Sequence, residues 1–141
     1  MRLNQKGMTL IEIMMVLAII GGLMAVLVPN ILDSYNKARV KQSMIQVHNI
    51  RTSLRNYLLD CGHFPPTEPG LDALVDNPGN EVCRNWGPAA YIDKKQLIDQ
   101  FGHHFGYEFD GSKVVITFFG KDGKPGGEKW NADISEEENE E

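Results

Sequence analysis

Between Met8 and Leu32 the chain runs twenty-five residues with a single charged side chain, Glu12. As an α-helix that run would measure about 37 Å, enough to cross the roughly 30 Å hydrocarbon core of a bilayer with some tilt. The hundred or so residues that remain can fold as one modest domain, but they cannot bury such a segment as well. One membrane span is therefore expected. Arg2 and Lys6 precede it, so the positive-inside rule puts the N-terminus in the cytoplasm and the rest outside, although Lys37, Arg39 and Lys41 beyond the span pull the other way. No A-x-A-like site follows the apolar run, so the segment is expected to stay in the mature protein. Gly21, Gly22 and Pro29 are poor helix formers in water; a membrane helix tolerates them, and they permit local melting or close helix approach.

Glu12 stands at the edge of sixteen uncharged residues, Ile13 to Val28. An ionised carboxylate there costs several kcal/mol unless it finds a partner. Without one it must be protonated or snorkel to the interface.

The sequence "KG" followed by "MTLIEIMMVLAIIGGLMAVLVP" resembles the class III signal of type IV pilins and their relatives. The resemblance implies that a prepilin peptidase cuts after Gly7, that residues 1–7 are a leader, and that the new N-terminus at Met8 is methylated. Phenylalanine is usual where Met8 stands, whereas Gly7, Thr9, Leu10 and Glu12 follow the family pattern. It also implies a partner for Glu12: the Met8 ammonium of a neighbouring subunit, so that two costly groups neutralise each other inside an apolar helical stack.

Downstream, Val40, Met44, Val47, Ile50, Leu54 and Tyr57 recur at three and four residues, predicting an amphipathic helix over residues 33–60 that continues the span of residues 8–32. Its apolar stripe needs a cover, for which a small sheet from the C-terminal region is the candidate. Lys37, Arg39, Lys41, Arg51 and Arg55 are expected to form a solvated face. The Pro- and Gly-rich stretch after Asp60 predicts an ordered loop with a short helical piece at Leu71 to Val75. "FGYEFD" and "KVVITFF" predict an antiparallel hairpin turning at Asp110-Gly111. The fold class expected is α+β, a long N-terminal helix packed on a small antiparallel sheet.

"YLLDCGHFPPTEPGLDALV" is similar to a segment of the major pseudopilins of type II secretion systems, and Asp99 and Gly102 correspond to that family's Asp-Pro-Trp-Gly turn, with Gln100 and Phe101 between them. This resemblance implies a type IV pilin-like fold and a homopolymeric filament. It further implies partners among minor pseudopilins and an inner-membrane secretion platform, with residues 61–134 as a periplasmic domain. The nearest alternatives are a type IV pilin for adhesion or motility and a monomeric, membrane-anchored calcium-binding module.

"GKDGKPGGEKWNADI" brackets glycines with Asp122 and Asp133, while Glu128 and Asn131 add oxygens. Calcium takes six to eight hard oxygens from carboxylates, amides, carbonyls and water. On its own the loop is a weak signal, because it fails the EF-hand pattern and a plain Gly/Asp turn explains it as well. G-type pseudopilins carry a closely similar loop, which implies calcium held by Asp122, Asp133 and Asn131, with carbonyls near Phe119 completing the shell. Such an ion would tie the loop to the sheet.

Cys61 and Cys83 are too few for a zinc site. Paired in an oxidising compartment they would add about 3 kcal/mol; two unrelated buried thiols are the alternative. Beside the resemblance they read as a lineage-specific staple. The net charge of -5 owes much to "SEEENEE", read as a solvated acidic tail over residues 135–141, and it argues against nucleic acid as a partner. No phosphate-binding loop, nucleophile elbow or H-E-x-x-H motif is present, so an enzyme is not expected. His48, His63, His103 and His104 lack metal-ligand context, and Trp86 and Trp130 read as packing residues.

Overall fold

The computed structural model describes residues 7–139; residues 1–6, within the leader expected from the sequence, and the final two glutamates lie outside them. One helix, α1 (Leu10–Cys61), accounts for 52 residues and keeps its course through Pro29. The chain divides into two compact units between Tyr35 and Asn36, three residues beyond the boundary expected at Leu32.

In the second unit the stripe read from the sequence is the core face of α1. Val47, Ile50, Leu54 and Tyr57 are fully buried, and Val40 and Met44 pack against them from the rim. Three polar side chains interrupt this face, and each is used. Ser43 Oγ accepts from Gln100 N at 3.2 Å, Gln46 Nε2 donates to the Ile98 carbonyl at 2.9 Å, and Ser53 Oγ donates to the Tyr91 carbonyl at 3.0 Å. They anchor the loop that crosses the helix. At the end of α1, Gly62 takes φ +81°, a left-handed conformation that costs glycine nothing, while its N–H still reaches the Leu58 carbonyl at 2.8 Å.

Cys61, the last helical residue, is bonded to Cys83, their Cα atoms 5.1 Å apart. Between them lies a single 3-10 turn, Gly70–Leu74, at the site of the predicted helical piece. Trp86 packs edge-on against Tyr91 with ring centroids 5.5 Å apart and donates its indole N–H to the Ala73 carbonyl, a packing role as the sequence suggested. A second 3-10 turn, Lys94–Leu97, leads to the Asp99 turn.

The hairpin forms as predicted from β1 (Gly106–Phe109) and β2 (Lys113–Phe118), with Gly106 opposite Thr117 and Phe109 opposite Val114. Asp110 Oδ1 accepts from the backbone N–H of both Ser112 and Lys113 at 2.9 Å, and these bonds hold its carboxyl below the usual range. Alternation then buries Val114, Ile116 and Phe118 against the helix.

The acidic end departs from expectation. Residues 134–139 are β3 (Ile134–Asn139), antiparallel to β2, and complete a sheet of order β1-β2-β3. Ser135 to Asn139 are therefore part of the fold and not a solvated tail. The reason lies on α1. Glu138 is only 7% exposed and lies between Arg51 and Arg55, while Arg51 also reaches Glu136 at 2.9 Å. Arg51 is drawn half out of the solvated face predicted for it, while Arg55 stays exposed on that face; together they clamp the third strand, so burial of Glu138 is compensated by two guanidinium groups. On the outer side Lys113 Nζ meets Glu137 at 3.1 Å, across the sheet.

Candidate functional site

Two places carry chemistry. The first is the start of α1. Thr9 and Glu12 stand three residues apart, and each satisfies the other. Glu12 Oε2 accepts from Thr9 N at 3.0 Å and from Thr9 Oγ1 at 3.2 Å, and Glu12 N donates back to Thr9 Oγ1 at 3.3 Å. This is a capping box, in which a Thr and a Glu supply partners to N–H groups that the first helical turn leaves free. The Thr-x-x-Glu spacing that encodes it is plain in the sequence, and it gives Glu12 a partner within its own subunit, where the pilin resemblance implies one only in a neighbour.

Beyond the box, α1 is the one helix among the described residues long and apolar enough to cross a membrane. Large side chains such as Leu10, Ile19 and Val26 are exposed along it. At Gly21 and Gly22 nothing lies within 4 Å of where a Cβ would stand, which leaves room for another helix to approach closely. Asn30 Nδ2 bonds to the Val26 carbonyl at 3.2 Å, a local hydrogen bond just past Pro29.

The second place is the loop between β2 and β3. Lys121 N donates to the Trp130 carbonyl at 2.8 Å, joining the two limbs, so Asp122 and Asn131 each stand one residue beyond the joined pair. Asp133 Oδ2 accepts from Gly126 N at 2.8 Å, and Asp122 Oδ1 accepts from Lys124 N at 3.3 Å. The limbs close on Asn131. A Cβ at Gly120 or at Gly127 would come within 2.4 Å of its backbone, so both positions require glycine. The same loop includes the 3-10 turn Lys129–Asn131, which carries Trp130.

Asp122, Asn131 and Asp133 thus belong to one closed loop whose side-chain donors are all hard oxygens, the chemistry that suits calcium. Among the described residues no three His, Cys, Asp or Glu side chains gather to hold a metal, so a cation here would depend on the Asn131 amide and on backbone carbonyls beside two carboxylates. His63 Nδ1 lies 2.8 Å from the Phe64 carbonyl and His103 Nε2 lies 3.2 Å from the Lys121 carbonyl, both loop contacts.

Residues 30–137 match the protein family described as "Type II secretion system (T2SS), protein G", and residues 2–28 match the "Prokaryotic N-terminal methylation motif". The type II secretion system core protein G of Pseudomonas aeruginosa is 38% identical over 141 residues, covering 98% of this chain and 99% of that relative. The core protein G of Vibrio cholerae is 38% identical over 133 residues, covering 93% and 90%. Among solved structures, the major pseudopilin from the type 2 secretion system of enterohaemorrhagic Escherichia coli superposes with a TM-score of 0.62 at 29% identity, covering 76% of this chain and 93% of that one.

Proposed function

Because this chain belongs to the type II secretion system protein G family, we propose that it is the subunit of a periplasmic filament, a pseudopilus that helps export folded proteins across the outer membrane. The observation that carries this reading is the pairing, in one chain, of a methylation motif over residues 2–28 with a family match over residues 30–137. The N-terminal apolar helix fits a single-pass membrane anchor. In this reading the anchor lies in the bacterial inner membrane with the domain from Asn36 onward in the periplasm. That orientation is supported by Arg2 and Lys6 ahead of the span, and an oxidising periplasm would also accommodate the Cys61–Cys83 bond.

A prepilin peptidase cuts after Gly7, and Met8 becomes the methylated N-terminus. While the subunit is alone in the membrane, Glu12 rests on Thr9. On entering the filament it exchanges that partner for the Met8 ammonium of a neighbour, and the exposed apolar side chains of α1 pack against other copies. Both states give the carboxylate a partner, so neither carries the cost of a bare charge in an apolar medium. Minor pseudopilins and the inner-membrane platform of the secretion system are the further partners. The role is one of assembly, and no catalytic role is assigned to any residue.

In the acidic loop, Asp122, Asp133 and Asn131 would hold a calcium ion. Bound there, the ion would supply fixed positive charge to two carboxylates and tie the limbs of the loop between β2 and β3. Mass spectrometry of the mature protein tests the processing: the chain should begin at Met8 and carry one added methyl, whereas a mature chain that still begins at Met1 would contradict it.

A further inference from the structure

His103 lies outside the set of residues assigned to the acidic loop, yet the loop is built around it. Gly123, at φ +65°, sits so close that a Cβ there would come within 2.4 Å of the imidazole Cγ. His103 Nε2 meets the Lys121 carbonyl at 3.2 Å. A carbonyl only accepts, so Nε2 is the donor in this contact. One imidazole therefore touches the limb on both sides of Asp122.

The backbone that carries the ring is itself fixed by the Asp99 turn. Asp99 is 6% exposed, and its Oδ1 accepts from Phe101 N at 2.7 Å and His103 N at 2.9 Å, while Asp99 N donates to the His103 carbonyl at 2.8 Å. The same turn is tied to α1. Gln100 N donates to Ser43 Oγ, Gln100 Nε2 donates to Gln46 Oε1 at 3.1 Å, and Gln46 Nε2 donates to the Ile98 carbonyl.

We propose that His103 is the positioning residue of the acidic loop, holding the Lys121–Gly123 limb, and with it Asp122, against the buried Asp99 turn and so against Ser43 and Gln46 of α1. Order in the loop is thereby linked to order in this stretch of the helix, and the link works in both directions. What this implies for calcium affinity rests on the calcium reading above; what it implies for the loop's own order does not.

The test uses the full chain in detergent micelles and needs no ion at first. In chelator, His103→Ala should speed hydrogen exchange at the Lys121 and Lys124 amides about tenfold while the β2 amides of Val114 and Ile116 keep their rates. His103→Gln, which retains a donor for the Lys121 carbonyl, should recover part of the protection at Lys121. The link to α1 should show as faster exchange at Gln100 in His103→Ala. A double-mutant cycle adds a second arm: Gly123→Ala should destabilise the native background more than the His103→Ala background, since the ring it strikes is gone and the backbone strain cancels. Unchanged exchange, equal acceleration across loop and sheet, or a cycle that closes to zero would each overturn the proposal. With calcium added, the midpoint of the thermal response should move to about tenfold higher concentration in His103→Ala. A native protein with no calcium response would refute the calcium reading alone and leave the exchange result to decide the role of His103; a response with the same midpoint in both proteins would overturn the link to the ion.

Discussion

Arg51 donates its Nε–H to Glu138 Oε2 at 2.6 Å, joining the C-terminal part of the long helix to the last described strand. Arg55, one turn further along, donates its Nε–H to the other oxygen of the same carboxylate, also at 2.6 Å. A single buried carboxylate shared by two guanidinium groups sets the place and register of β3. Replacing it exposes the cost of the cluster. Glu138→Ala should lower unfolding stability by about 2 kcal/mol, because two cations lose their common partner and Glu136 compensates only Arg51. Arg55→Ala, at a side chain 64% exposed, should cost less than about 1 kcal/mol. Denaturant melts of the three proteins measure both.

The same cluster gives stability a pH dependence. Burial pushes the Glu138 carboxyl up, and the hydrogen bonds from Arg51 and Arg55 more than reverse that, leaving it below its ordinary value of 4.5; Arg51 is raised in turn, chiefly by its bond to Glu138. A depressed carboxylate contributes in full above its unfolded value and loses that contribution as pH falls through the lower folded one. Stability should therefore decline on acidification below about pH 4.5, and Glu138→Gln should flatten part of that decline. Melting curves at stepped pH check the slope, and identical acid limbs in the two proteins would contradict it.

The Cys61–Cys83 bond pins the end of α1 to the loop that crosses it, across 22 residues. Replacing both cysteines by serine should cost about 3 kcal/mol. Free-thiol titration of native protein taken from the cell envelope should find no reactive thiol, and two titratable thiols would remove the staple.

For the acidic loop, Asp122→Ala combined with Asp133→Ala should abolish any difference between melting curves recorded in calcium and in chelator. The native protein should melt several degrees higher in calcium, as expected of an ion that binds only the folded state. Coincident curves for the native protein would remove the ion from the account.

The helix and the hairpin were legible because their signals are local. Val47, Ile50, Leu54 and Tyr57 recur at helical spacing, and Val114, Ile116 and Phe118 alternate. The third strand was not, since "SEEEN" offers no apolar alternation and reads as solvated charge. What buries Glu138 is a pair of arginines 83 and 87 residues away, a contact that no local window contains. In retrospect the clue was spacing on both sides: Arg51 and Arg55 one helical turn apart, and Glu136 and Glu138 two residues apart on one face of a strand. The acidic loop shows the same limit. Asp122, Asn131 and Asp133 stood out as oxygen donors, but His103, whose ring meets Gly123, belongs to a separate turn. At the helix start the Thr9-x-x-Glu12 pattern was in view, and a partner inside the subunit was available all along.

The capping box also shapes the most direct test of assembly. Glutamine serves in a capping box as glutamate does, so Glu12→Gln leaves the bonds to Thr9 possible and removes only the charge. Filaments should be counted by electron microscopy in cells expressing the native chain or Glu12→Gln at matched membrane levels. The account predicts that the variant is cut and inserted normally yet forms almost no filaments; filaments at native numbers would show that pairing of Glu12 with a neighbour's Met8 ammonium does not drive assembly.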